Sequence, residues 1–264
     1  MPTAARLGIY HSLINHQQKL AILIGISIAV IVALIFVDPI SQNQNYHQFA
    51  DTRAWLGMPN AADVLSNIGF AVVGCLGLWF GFNRRLAGGL ASLNKIYLVF
   101  FLGIFLTAFG SGYYHLSPSN HTLVWDRLPM TVAFMAFFAI VIGEQVSEEL
   151  ATLMFGPLII FGIFSVAYWS FTEQKGLGDL RIYALVQFLP IILIPLMLIM
   201  FKSPFTSTFP IWLAIIFYML AKVFELFDKP IYQLHIGVSG HTVKHLAAAL
   251  GSGSILWGLL HRKM

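Results

Sequence analysis

Apolar stretches of about 20 residues recur along this chain, and that is the length an α-helix needs to cross the hydrocarbon core of a bilayer. Of the 264 residues 58% are hydrophobic and only 10% are charged, a balance that soluble domains do not show. Because backbone polar groups find no water inside a bilayer, a bundle of helices is the fold that this pattern favours. The sequence therefore predicts an all-α integral membrane protein. The expected spans are residues 20–37, 62–82, 96–115, 124–143, 150–170, 180–201, 209–227 and 241–260.

The first span, residues 20–37, lies close enough to the N-terminus to resemble a signal peptide. Its apolar stretch is longer than that of a typical signal peptide, and no small-residue cleavage site follows it. We therefore expect it to remain as an extra transmembrane helix. Residues 1–45 are predicted to form this helix and an outer loop, and residues 46–264 a seven-helix membrane domain.

The basic residues favour one orientation in the membrane. Cytoplasmic segments of membrane proteins carry an excess of lysine and arginine, and the excess lies inside if the N-terminus is cytoplasmic. Both termini are therefore expected in the cytoplasm. The inner basic residues are then Arg6, Lys19, Arg84, Arg85, Lys95, Lys202, Arg262 and Lys263, and the outer ones are chiefly Arg53, Lys175, Arg181 and Lys229.

The net charge of +4 does not indicate a nucleic-acid partner, because the basic residues are scattered and lie mostly at helix ends. The sequence gives no sign of a protein partner either. Cys75 is the only cysteine, which excludes an intrachain disulfide and a cysteine-rich metal site. Any metal must therefore be held by histidine, aspartate or glutamate.

His241 and His245 are four residues apart at the start of the last span. On a helix this spacing places both imidazoles on one face, about one turn from each other, where a single metal ion can bridge them. Two interfacial histidines that only hydrogen-bond to neighbours would show the same spacing. Lys244 lies between them in sequence, and we expect its side chain to point away from their face towards the membrane surface.

Three further polar residues are expected at the same depth as this histidine pair. Ser111 and His115 repeat the four-residue spacing at the end of the third span, and Asp126 is expected at the beginning of the fourth. In the orientation favoured above, these ends and the start of the eighth span all lie on the outer side. Ionisable residues are costly in a membrane, so a cluster of them indicates a functional site.

Three neutral imidazoles with one open position are the ligand set of a hydrolytic zinc ion. The sequence therefore predicts zinc on His115, His241 and His245, near the periplasmic or lumenal face. A carboxylate beside the zinc-bound water can shuttle its proton, and Asp126 is suited to that role. Ser111 can donate a hydrogen bond to a developing oxyanion.

This order of residues resembles the alkaline ceramidase family, which belongs to a superfamily of seven-helix membrane hydrolases that includes the progestin and adiponectin receptors. The pattern is Ser-x3-His, an Asp eleven positions later and a terminal His-x3-His, and residues 63–67 are similar to the opening of the family's first helix. The resemblance extends from about residue 50 to the C-terminus. It implies a seven-helix core with one added N-terminal helix, and hydrolysis of ceramide to a fatty acid and a sphingoid base.

The resemblance also implies a calcium loop before the first core helix. Eukaryotic alkaline ceramidases resemble one another in an acidic loop there, whereas this chain offers Asp51, Asn60 and Asp63 as candidate calcium ligands, with Arg53 among them. A calcium site requires negative charge, so Arg53 and Asn60 make the loop a poorer match.

Three other functional classes are compatible with histidines in a membrane protein. A receptor like the adiponectin type would share the zinc site, but it would be expected to carry a larger cytoplasmic region than this chain has. Haem needs ligands that face each other from different helices, which His241 and His245 do not provide. Proton-coupled transporters place such residues near the bilayer midplane. The leading prediction is a zinc-dependent hydrolase whose substrate is a membrane N-acyl lipid.

Overall fold

The computed structural model of the protein describes residues 14–235 and 237–264. Most of these residues lie in eight helices that are long and apolar enough to cross a membrane. Each coincides with one predicted span, so the all-α membrane fold is confirmed. Residues 1–13, with Arg6 of the orientation argument, lie outside the described residues, and the predicted domain boundary at residue 45 stays a prediction. The helices are α1 His16–Ile35, α2 Ala61–Leu65, α3 Ile68–Phe82, α4 Asn94–Leu116, α5 Asn120–Gln145, α6 Glu148–Gln174, α7 Arg181–Met200, α8 Phe209–Leu226, α9 Asp228–Tyr232 and α10 Gly240–His261.

The core helices pack around a central space, in the order α6, α5, α4, α3, α10 and α8, and α7 closes against α5 and α6. Helices α2 and α3 together form one span. The extra helix α1 lies outside this ring against α7, and Leu23 is its only buried residue. Most of its other apolar side chains are exposed, as expected for a helix that faces lipid.

Local sequence determines where two of the helices that carry predicted site residues begin. Ser119 precedes α5, and its hydroxyl accepts a hydrogen bond from the backbone N–H of Thr122, 3.2 Å away. Ser239 precedes α10 and accepts from the backbone N–H of Thr242 at 3.0 Å. Each serine satisfies a backbone donor that the first helical turn leaves without a partner.

Two glycines bring the site-bearing helices into close contact. A Cβ atom on Gly110 would lie 2.1 Å from the Trp125 carbonyl oxygen, and one on Gly240 would lie 2.3 Å from the Phe224 carbonyl oxygen. Any side chain would therefore push α4 away from α5, or the start of α10 away from the end of α8. Both glycines directly precede predicted site residues, Ser111 and His241.

We call the end of the bundle that contains His115, Asp126 and His241 the histidine end, and the opposite end, with Arg84 and Arg262, the arginine end. The segment between α1 and α2 covers the histidine end. It is anchored where the backbone N–H of Ala50 donates to Asp228 at 2.9 Å.

Candidate metal centre

His115 at the end of α4 meets His241 and His245 at the start of α10. All three are buried, and each offers one nitrogen such that these atoms lie within 4.8 Å of one another. Their ring centroids are 4.8 to 4.9 Å apart. The predicted common depth of the three histidines is therefore observed, and among the described residues this is the one group of three such side chains placed to hold a metal ion.

Several nitrogens of this cluster have no hydrogen-bond partner. Both ring nitrogens of His115 and Nε2 of His241 are buried without one in the described part of the chain. A buried polar atom left unpaired costs about 1–3 kcal/mol, and proteins rarely leave several together. Coordination of a metal ion would satisfy these atoms, so the residues present fit such an ion.

Ser66 fixes the protonation of the third histidine. Its hydroxyl donates to the backbone carbonyl of Asp63 at 2.9 Å, and the same oxygen lies 2.7 Å from Nδ1 of His245. Because the hydroxyl hydrogen is used by Asp63, the serine oxygen accepts from Nδ1–H. Nε2 of His245 then keeps its lone pair for a metal, as outer-shell partners of metal-bound histidines generally ensure.

Phe49 closes the cluster from the segment that covers the histidine end. Its ring centroid lies 4.6 Å from those of both His115 and His241. Asp228 fixes the neighbouring backbone, since its carboxylate accepts from the N–H of Ala50 at 2.9 Å and from the N–H of His241 at 2.8 Å. The histidines are thereby shielded on the side away from the bundle interior.

A cavity of about 400 Å³ opens beside the cluster inside the bundle. Ser111, Asp126 and His245 contribute polar groups to its wall, and the rest of the lining is mainly apolar. A long apolar cavity with a few polar groups at one end suits an amphipathic ligand. Its apolar wall includes Phe100, Ile104, Phe137, Ile194, Ile215 and Ile255.

Asp126 lies further from the start of its helix, and deeper in the bundle, than expected. Helix α5 begins at Asn120 rather than near residue 124, because the Ser119 cap starts it one turn earlier. Asp126 is therefore almost two turns into the helix, and it is buried in the cavity wall. The sequence analysis placed Asp126 and Ser111 at one site but did not predict this depth.

Lys244 does not point to the membrane surface, so that expectation is wrong. Its ammonium group donates to Oε1 of Glu225 at 2.9 Å, and both side chains line the cavity. Lys222 contacts the other oxygen of Glu225. Tyr46 donates to Oε1 of Glu225 at 3.0 Å, and burial together with Glu225 raises the pKa of this phenol, which keeps it protonated.

The three candidate calcium ligands each have other partners. Arg53 holds the Asp51 carboxylate through two hydrogen bonds of 2.8 and 2.6 Å, and these bonds lower the pKa of Asp51. Asn60 donates its amide to the His115 carbonyl at 2.8 Å. Asp63 accepts from the Thr242 hydroxyl at 2.6 Å. Calcium binding here stays a prediction.

Comparison with known proteins gives a family match over most of the chain. The family model described as Ceramidase matches residues 58–257, a region that holds Ser111, Asp126 and the three histidines. Comparison with curated proteins gave no match.

Proposed function

The chain belongs to the ceramidase family, and from this we propose that it is a zinc-dependent lipid amidase of the membrane. The proposed substrate is ceramide or a related N-acyl lipid, cleaved to a free fatty acid and a sphingoid base or similar amine. The observation that carries the proposal is the buried triad of His115, His241 and His245, placed beside an apolar cavity that a lipid chain would fill.

The three histidines would hold the zinc ion. A zinc ion bound there would lower the pKa of a coordinated water and polarise the amide carbonyl. Zinc is proposed because three neutral imidazoles are its usual ligand set in hydrolases. The unpaired nitrogens of His115 and His241 support metal binding.

Asp126 is proposed as the proton carrier of the reaction. From the cavity wall its carboxylate can take a proton from the attacking water. When the carbon–nitrogen bond breaks, the same proton can pass to the leaving amine. Ser111, on the same wall, is proposed to donate a hydrogen bond to the oxyanion that forms on the carbonyl oxygen.

Metal exchange tests this function directly. Protein purified in detergent is stripped with a chelator, and release of fatty acid from ceramide is measured before and after addition of Zn²⁺ or Mg²⁺. We expect hydrolysis to disappear on stripping and to return with Zn²⁺ alone. Calcium is tested in the same assay by adding Ca²⁺ to zinc-loaded protein, where stimulation would support a role for Asp51, Asn60 and Asp63.

We also propose that the histidine end faces the periplasm or a lumen and that both termini are cytoplasmic. Outside the cavity, the arginine end carries more basic residues than the histidine end, including Arg84, Arg85 and Arg262, as the positive-inside rule requires. Single cysteines placed at exposed positions of each end, in a Cys75→Ser background, would be labelled by an impermeant maleimide from opposite sides. Labelling of the histidine end from the cytoplasm would contradict this orientation.

A further inference from the structure

The polar end of the cavity carries more positive than negative side chains. Building on the proposed amidase activity, we propose that the preferred substrate is an acidic N-acyl lipid, with a carboxylate or similar anion on the amine side of the amide. Arg127 is the residue assigned to bind that anion. The cavity cations Lys222 and Lys244 supply the surrounding positive field.

Arg127 is a buried cation without a carboxylate partner. It follows Asp126 on α5, lines the cavity and is only 6% exposed. Among the ion pairs of residues 14–235 and 237–264, none involves its guanidinium. Its Nη2 donates to the side-chain oxygen of Gln42 at 2.6 Å, whereas Nη1 is buried without a partner.

Aromatic rings hold this guanidinium in place but do not neutralise it. Its central carbon lies 4.2 Å from the Trp169 ring centroid and 4.6 Å from that of Tyr183. Such contacts stabilise a cation through the ring quadrupole. They leave its full charge available to a ligand, since an aromatic ring carries no net charge.

The other charges of the cavity do not compensate Arg127. Lys222 and Lys244 both contact one carboxylate, that of Glu225, and Asp126 is the only other acidic residue among those that line the cavity. Three cations therefore face two carboxylates. A surplus cation in a low-dielectric cavity is costly, and an anion on the bound lipid would compensate it.

The position of Arg127 indicates that it would bind an anion on the head of the lipid rather than the carboxylate of the fatty-acid product. The carboxylate of the product would form at the amide carbon, beside the histidines. Arg127 instead contacts Gln42 and faces the Tyr46 ring at 5.9 Å, and both belong to the segment that covers the histidine end. The group that binds there lies at the head of the lipid, opposite the acyl chain in the apolar interior.

Two synthetic lipids that differ in one group test this assignment. N-hexadecanoyl-serine carries a carboxylate where N-hexadecanoyl-serinol carries a hydroxymethyl group, and their acyl chains and amides are identical. A charge-assisted hydrogen bond contributes about 1.5–3 kcal/mol, or roughly a 10- to 150-fold preference. We expect wild-type kcat/KM to be higher for the acidic lipid by at least about tenfold.

Arg127→Gln should remove that preference selectively. Its kcat/KM should fall by roughly 10- to 100-fold for the serine lipid and by less than about threefold for the serinol lipid, whose hydrolysis shows that the variant is folded. Lys222→Gln should lower the preference by a few-fold. The matched control is Lys229→Gln, which removes an exposed cation of the histidine end outside the cavity and should leave the preference unchanged.

Binding to metal-free protein separates this inference from the proposed function. Without turnover, the serine lipid should raise the unfolding temperature of wild type more than the serinol lipid does, and Arg127→Gln should abolish the difference. If neither lipid nor ceramide is hydrolysed but this difference persists, the amidase proposal fails and the anion subsite stands. Equal or better use of the serinol lipid by wild type, or an equal loss of both in Arg127→Gln, would overturn the subsite.

Discussion

The two ends of the bundle each bury ionisable groups, but these groups have different neighbours. At the arginine end, Glu144 pairs with Arg262, and the Tyr97 hydroxyl donates to the same carboxylate at 2.8 Å. At the histidine end, His115 and His241 keep nitrogens without partners next to a cavity. Burial of charge alone therefore does not mark a functional site in this membrane protein. Glu144 also keeps one oxygen without a partner, so the feature particular to the histidine end, among the described residues, is a cluster of three side chains placed to hold a metal ion beside a cavity.

The largest effect should come from Asp126. Asp126→Asn keeps the shape of the side chain but removes the proton acceptor, so we expect ceramide hydrolysis to fall by about two to four orders of magnitude. Zinc content should not change, because the histidines are untouched. The control is Asp38→Asn, at an exposed position. Full activity of the Asp126 variant would remove it from the site and weaken the contrast between the two ends.

The arginine end should show the opposite behaviour. Glu144→Gln leaves Arg262 buried without its partner, and breaking a buried ion pair costs about 3–5 kcal/mol. The unfolding temperature in detergent should drop clearly, whereas zinc content and activity per folded molecule should hold. Glu149→Gln, the same substitution at an exposed position of that end, should be neutral. A loss of activity without a loss of stability would show that the arginine end is not merely structural.

Ser66→Ala tests whether the Ser66 hydroxyl contributes to metal affinity at the histidine end. Without the acceptor for Nδ1–H, the protonation of His245 is no longer fixed, and we expect zinc affinity to fall by about 10- to 100-fold. Competition with a chromogenic chelator measures it. Ser165→Ala removes a buried hydroxyl that bonds only to its own helix, at Gly162, and should leave the affinity unchanged. An equal loss in both variants would point to general destabilisation.

The smallest effect concerns Asp51 and Arg53 above the site. Arg53 lowers the pKa of Asp51, so the pair stabilises the fold above the ordinary carboxyl pKa of about 4, and this contribution is lost as pH falls through the lowered value. Arg53→Gln should lower the unfolding temperature slightly at neutral pH, since the Arg53 side chain is more than half exposed and solvent weakens such ion pairs. The difference from wild type should vanish in acid. A difference that persists there would contradict this origin.

The sequence predicted the eight spans because apolar length alone determines them, and it predicted the site residues because four-residue spacing and topology place them together. It could not predict features that depend on contacts between helices. That Gly110 and Gly240 allow close helix contacts is known only from the fold, which places the Trp125 and Phe224 carbonyls next to them. The Lys244 side chain points into the cavity because its partner Glu225 lies on another helix. No helical spacing rule relates two residues that are 19 positions apart.

Arg127 shows the same limit. In the sequence it is simply a cation next to Asp126. That it lacks a carboxylate partner can be established only when the neighbouring side chains are known. Ser66 was part of a recognised motif, residues 63–67, but its bond to His245 spans 179 positions. Local patterns therefore predicted the histidine cluster, and the fold was needed to find the residues that position it.

The most direct test of the metal site is elemental analysis of the purified protein, with ceramide hydrolysis assayed on the same samples. Wild type is compared with a His241→Ala, His245→Ala double variant. We predict about one zinc ion per chain in wild type, because the three histidines form one ligand set with one open position, and loss of both zinc and hydrolysis in the variant. Zinc without hydrolysis of any N-acyl lipid would favour a receptor. Hydrolysis that survives in the variant, or wild type without zinc, would contradict the account.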